Sequence, residues 1–151
     1  MTRLVRAPRA VVYRMLLDPD AVARWRVPDG MTGQVHAFDA RVGGRFRLSL
    51  TYDEPGRPGK SSARTDTYHG HFTELVPDEK VVETIAFESA DPAFAAPMTM
   101  TTLLADAPGG TEVTLVHEGV PDAVPPAANE AGTRMSLANL ARLAEADGDP
   151  T

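Results

Sequence analysis

Between residue 32 and residue 118, more than half of its 151 residues, the chain returns again and again to a hydrophobic period of two. Arg45-Phe46-Arg47-Leu48-Ser49-Leu50-Thr51-Tyr52 is the clearest stretch: polar and apolar side chains alternate, so a strand here has one wet face and one dry face. The same alternation marks residues 32–40, 65–76, 81–88, 98–104 and 111–118. Turn sequences separate several of them: Gly43-Gly44, Pro77-Asp78 and Ala107-Pro108-Gly109-Gly110. Short connections of this kind join antiparallel neighbours, so the segment predicts an antiparallel meander with one apolar face that something else must cover.

The cover lies at the two ends of the chain. After a short strand at residues 2–6, Pro8 suits a first helical turn, and Val11, Val12, Met15 and Leu16 fall at helical spacing through Leu17. Asp18-Pro19-Asp20 ends that helix and caps a second short one over residues 21–25, which Pro28 and Gly30 close. A proline-rich connector, residues 119–129, precedes an amphipathic helix of about four turns carrying Leu137, Leu140, Leu143 and Ala144. The tail from Asp147 is expected to fray, and residues 53–63 read as a loop. The fold class is α+β in a single domain spanning 1–151, a curved antiparallel sheet wrapped on a long C-terminal helix with two short helices after the first strand.

Composition narrows the chemistry. Without cysteine there are no disulfides, thiolate nucleophiles or thiolate metal sites. Residues 1–8 contain no apolar signal region and no stretch is long and apolar enough to span a membrane, so the reading is cytoplasmic, with no membrane partner. The net charge is −6, but residues 1–65 hold 12 basic and 6 acidic side chains, against 3 and 15 in residues 66–151. The arginines are scattered without a basic run, which argues against nucleic acid and for two halves that pair their charges.

Several motifs, in order, resemble one family. Ala7-Pro8-Arg9-Ala10-Val11-Val12, Asp18-Pro19, Trp25-Arg26-Val27-Pro28 and Arg41-Val42-Gly43-Gly44-Arg45-Phe46 resemble the start of the AHSA-like proteins, homologues of the activator of heat-shock-protein ATPase. Gly70-His71-Phe72-Thr73-Glu74-Leu75-Val76-Pro77, then Gly110-Thr111-Glu112-Val113-Thr114-Leu115-Val116-His117-Glu118-Gly119, then Gly132 before the leucine helix, continue the resemblance almost to the end. The resemblance implies a helix-grip domain of the START and birch-pollen-allergen type, within the SRPBCC superfamily, with a ligand cavity between sheet and terminal helix. In the family that this resembles, the glycine at the position of Gly132 is normally followed by tryptophan, and this chain has Thr133 there, which predicts a larger cavity or compensation by Met135 or another methionine. The amino-terminal edge strand is short for the family.

Strand alternation then proposes a lining: Phe46, Leu48, Leu50 and Tyr52 on one strand, Tyr68 and Phe72 on the next, then Ile85 and Phe87, Met98 and Met100, Leu115 and His117. Trp25 is expected as a packing anchor or a cavity lid. Tyr52, Tyr68 and His117 place polar atoms on an apolar face and need partners there.

The other chemical motifs are weaker. Gly56-Arg57-Pro58-Gly59-Lys60-Ser61 ends like a phosphate-binding loop but lacks its first glycine and its helix. His69 and His71 share a strand face, away from the proposed cavity and without a matching carboxylate, so no metal and no cofactor is expected. Glu74, on the Phe72 face by alternation, is a candidate acid or base with His117 and Tyr68, or a partner for Arg41 or Arg45. No nucleophile, base and acid converge. The expected function is binding of a small apolar or aromatic metabolite. The alternatives are a cyclase, aromatase or dehydratase-like enzyme using the pocket's polar groups, and a co-chaperone-like interaction module. A sheet edge is the route by which a homodimer would form.

Overall fold

The computed structural model describes residues 1–27, 30–52, 65–89, 91, 95–121 and 124–147. Its elements are β1 (Thr2–Val5), α1 (Arg9–Leu17), α2 (Pro19–Trp25), β2 (Met31–Phe38), β3 (Arg45–Tyr52), β4 (Thr65–Val76), β5 (Lys80–Phe87), β6 (Met98–Ala107), β7 (Gly110–Glu118) and α3 (Pro126–Asp147). The strands form one antiparallel sheet in the order β1-β7-β6-β5-β4-β3-β2. The α+β helix-grip architecture expected from the sequence is therefore the one observed.

Local chemistry sets the helix boundaries. The amides of Val11 and Val12 donate to the Pro8 carbonyl, starting α1, and the Asp18 carboxylate accepts from the Asp20 amide at 2.9 Å, capping α2. Pro19 costs no hydrogen bond at the first position of α2. The terminal helix starts earlier than expected and runs for 22 residues rather than about four turns. Pro125-Pro126 is not a continuous connector: a proline at the first helical position has no amide to lose, and the Asn129 amide donates to the Pro125 carbonyl at 3.0 Å. Asp147 closes α3, while the residues after it, expected to fray, the segment 53–63, expected as a loop, and the Gly56 to Ser61 motif fall outside the described residues.

One face of the sheet carries the core. Val81, Glu83 and Ile85 alternate inward on β5, Phe46 and Leu48 on β3, and Val113 and Leu115 on β7. Against them pack Val12 and Leu16 of α1, Val22 and Trp25 of α2, and Leu137, Leu140, Ala141 and Ala144 of α3. Register shifts interrupt β2 between Val35 and Ala37 and β4 between Phe72 and Glu74. Such bulges bend strands, giving the sheet its concave side.

The second bulge corrects the reading of Glu74. One inserted residue reverses the alternation, so Phe72 is buried while Glu74 is exposed and paired with Lys80 at 2.9 Å, not with Arg41 or Arg45. The two halves of the chain do pair their charges: Arg9 Nε meets Asp106 at 2.9 Å, and Arg47 holds Glu88 through two hydrogen bonds of 2.7 and 2.9 Å.

Gly70 lets Phe46 close over β4. A Cβ built at Gly70 lies 2.0 Å from the Thr84 carbonyl oxygen and 2.8 Å from the Phe46 ring, and the first of these is backbone that cannot swing aside. Gly70→Ala is expected to cost about 1–3 kcal/mol, the usual range for overpacking, measured as a lowered urea midpoint at unchanged slope.

Candidate functional site

Between the concave face of the sheet and α3 lies a cavity of about 450 Å³. Its floor is built from strand residues: Leu50 and Tyr52 of β3, Tyr68 of β4, Ile85 and Phe87 of β5, Met98 and Met100 of β6, Leu115 and His117 of β7. Trp25 forms one wall, and Thr133 and Met135 of α3 form the roof. Register explains the grouping: Tyr68 faces Phe87, Met100 faces His117, and Ile85 faces Met98 across adjacent strands.

Three expected lining residues are elsewhere. Phe46, Leu48 and Phe72 point to the same side of the sheet but are wholly enclosed in the core, off the cavity wall. Phe46 and Phe72 pack with Phe38 in an aromatic cluster, ring centroids 5.2 to 6.3 Å apart, further along the strands. Glu74 is also absent from the wall, as its outward turn requires. His69 and His71 are exposed, and His69 Nδ1 lies 3.2 Å from Glu88. Among the described residues no three histidine, aspartate or glutamate side chains gather to hold a metal.

Trp25 is an anchor that also forms wall. Its ring is buried, and Nε1 donates to the Met15 carbonyl at 2.9 Å, locking α2 onto α1. Thr133 is buried, and its hydroxyl donates back to the Asn129 carbonyl at 2.8 Å. A second, open recess of about 730 Å³ lies near β1, lined by Arg3, Glu130 and Arg134 among others. Leu115, His117, Asn129 and Thr133 line both spaces and divide them.

The sequence reading missed a polar group at the cavity's edge. Arg26, the C-cap of α2, is buried against the rings of Trp25 and Phe46, its guanidinium carbon 5.1 and 5.8 Å from their centroids. It forms a buried ion pair with Glu83 of β5. Burial opposes the arginine's charge, but the adjacent Glu83 more than restores it, and the pKa is raised. Asp66, opposite Leu50, is 3% exposed and also lines the cavity. The signal was present: the alternation that carries Ile85 inward carries Glu83, and the one that carries Tyr68 carries Asp66.

Residues 6–145 match the family described as "Activator of Hsp90 ATPase homolog 1-like protein". The chain belongs to this AHSA1-like family. Among solved structures, the Chromobacterium violaceum protein CV1439 is 35% identical, with a TM-score of 0.85 over 96% of this chain and 94% of that one. An AHSA1-like protein from Aeromonas hydrophila shares the fold at 22% identity, TM-score 0.72, over 98% of this chain and 92% of its own. No curated protein matches the chain at a comparable level. Among the described residues of this AHSA1-like chain, no helix is long and apolar enough to cross a membrane.

Two titrating groups of the AHSA1-like cavity are displaced from their ordinary ranges. Burial pushes the Tyr68 phenol up, with the Arg26 guanidinium pulling the other way. Burial holds the His117 imidazole below the usual histidine range, and the positive charges of Arg26 and the Met1 ammonium act in the same direction. An unfolded histidine takes up its proton near pH 6.5, whereas folded His117 resists it. Its contribution to stability is thus full above about pH 6.5 and is lost as pH falls toward the lower folded value. Melting temperature across that window should fall less in His117→Gln than in the parent; parallel curves would show that His117 does not titrate between the two states.

Proposed function

We propose that this AHSA1-like protein binds a small, largely apolar or aromatic molecule in the 450 Å³ cavity under α3. The observation that carries the reading is the composition of the wall: aliphatic, methionine and aromatic side chains, interrupted by a few polar groups, Arg26, Asp66, Tyr68 and His117 among them. Its volume falls in the range of small-molecule sites, roughly 300–1,000 Å³, and sparse polar atoms on apolar walls are how such sites fix a ligand's orientation. Of the acid and base candidates, Tyr68 and His117 line the cavity and Glu74 does not, so binding is favoured over acid–base turnover.

A thermal-shift screen against apolar acids, aromatic polyketides, flavonoids and fatty acyl compounds tests it. A ligand at about 100 times its dissociation constant adds roughly 2.7 kcal/mol, raising the melting temperature by about 5–10 °C at this length. The rise is expected to shrink in Tyr68→Phe and His117→Ala. Cooperative melting with no shift from any class would overturn the reading and direct attention to a protein partner.

A further inference from the structure

We infer that the cavity's occupant is an amphipathic acid: its apolar tail lies in the 450 Å³ cavity, and its carboxylate reaches past His117 and Thr133 into the recess near β1, where Arg3 and Arg134 receive it. This rests on the binding function proposed above and names the ligand's class.

The strand pattern places Arg3. Val5 of β1 is fully buried on the core face, and Arg3, two residues before it, shares that face. Its register partner, Val113 of β7, is buried on the same side, so the Arg3 side chain lines the recess on the concave side of the sheet. Among the described residues Arg3 forms no ion pair. Arg134 comes from the opposite wall, on α3 beside Thr133, and one of its terminal nitrogens holds Glu130 at 3.0 Å. Both partners are more than half exposed, so this pair is weak, and the guanidinium keeps further N–H donors for a ligand. Glu130 is the one acid among the recess-lining residues, set against two arginines, which makes a net positive hollow on a chain of net charge −6. Inside the cavity the arginine of the wall, Arg26, is already taken by Glu83.

The two spaces adjoin. Leu115, His117, Asn129 and Thr133 line both, so the apolar hollow and the cationic one lie side by side between β7 and α3. A molecule divided in the same way fits them: its tail gains from burial, while its carboxylate stays in the open recess and meets the planar fork of an arginine without being stripped of water. An uncharged ligand leaves the arginines unused, and a cationic one is repelled. An inward charge on an edge strand also discourages strand-to-strand association, but that role would not make ligand affinity depend on Arg3.

Calorimetric titration at neutral pH and low salt with decanoate, 1-decanol and decylammonium tests the inference. Decanoate is expected to bind at least about fivefold more tightly than either, against the order that net charge alone would give, and to lose most of that advantage at about 1 M salt. Arg3→Gln/Arg134→Gln should bring decanoate down to the level of decanol and leave decanol unchanged, whereas Arg45→Gln, at an exposed arginine that opens β3, should change neither. From hexanoate to decanoate, affinity should rise roughly three- to fourfold per methylene, as burial of the tail requires. Decanol binding as tightly as decanoate, or a preference for decanoate that survives in the double variant, would overturn the inference and leave the cavity an apolar site. Acid binding independent of tail length would overturn it by placing the acid in the recess alone. If no probe binds while the thermal-shift screen finds another ligand, the inference alone falls; if that screen is also blank, the proposed binding function falls with it.

Discussion

Replacing Glu83 by leucine is expected to cost about 3–5 kcal/mol of folding stability, because it leaves the buried Arg26 charge without its carboxylate partner. At this chain length that lowers the melting temperature by roughly 6–20 °C. The pair's surroundings make the asymmetry large. Arg26 packs against Trp25 and Phe46 at the end of α2, and Glu83 is held, 1% exposed, in the middle of β5. Removing both charges should behave differently. In Arg26→Met/Glu83→Leu the desolvation cost disappears with the attraction, and such exchanges are often neutral or stabilising. The arginine's stacking on two rings is lost in the double variant, at about 0.5–2 kcal/mol, so recovery of most rather than all of the stability is expected. Denaturant melts of the two single variants and the double variant decide it. If the double variant is no more stable than Glu83→Leu, the pair is a structural keystone whose geometry matters more than its charge balance.

Thr133→Trp should abolish ligand binding, by a factor of at least about a hundred, and leave the protein as stable as before or up to about 2 kcal/mol more stable. Thr133 sits in the roof of the cavity with its side chain buried, and a tryptophan at this position of α3 would project an indole into the space. Filling a cavity with apolar volume recovers dispersion contacts that its lining otherwise lacks. The lost hydroxyl bond is a small matter, since Thr133 Oγ1 only duplicates a helical bond to the Asn129 carbonyl. Thr133→Ala provides the contrast: it enlarges the space, binds as before and is slightly less stable. A Thr133→Trp variant that still binds would place the ligand elsewhere. The open recess beyond His117 and Thr133 is then the next place to look.

Much of this site was legible in the residues. Alternation along 45–52, 65–76 and 111–118 named the inward face of β3, β4 and β7, and Tyr68, Leu115 and His117 are found on the cavity. Periodicity reports a face, though, and not a position along the strand. Leu50 and Phe46 share a face, but only Leu50 reaches the cavity, because Phe46 lies nearer the aromatic cluster with Phe38 and Phe72. Glu74 was misplaced by a single extra residue: a bulge inverts a period of two, and no residue near Thr73 announces it. Arg26 and Glu83 were missed for a different reason. Charged side chains are normally outside, and their partnership joins residues 57 apart in sequence, which becomes visible only when α2 and β5 are brought together. The early start of α3 was hidden by prolines that suit a helix's first turn as well as a connector.

The sheet order also has a consequence for the timing of synthesis. β1 is the first strand made and pairs with β7, the last, with Val5 opposite Thr111 and Thr2 opposite Thr114. The strands between, β2 to β6, leave the ribosome in neighbouring order and can form hairpins as they emerge. Their apolar side then waits for β7 and for the helix that roofs it. At roughly 5–20 residues per second, the stretch from the end of β6 to the end of α3 takes about 2–8 s to translate. For that interval the nascent chain displays a half-built greasy trough, which closes once β7 and α3 are in place. Slow codons placed late in the message would lengthen that exposure, and slow codons placed early would not.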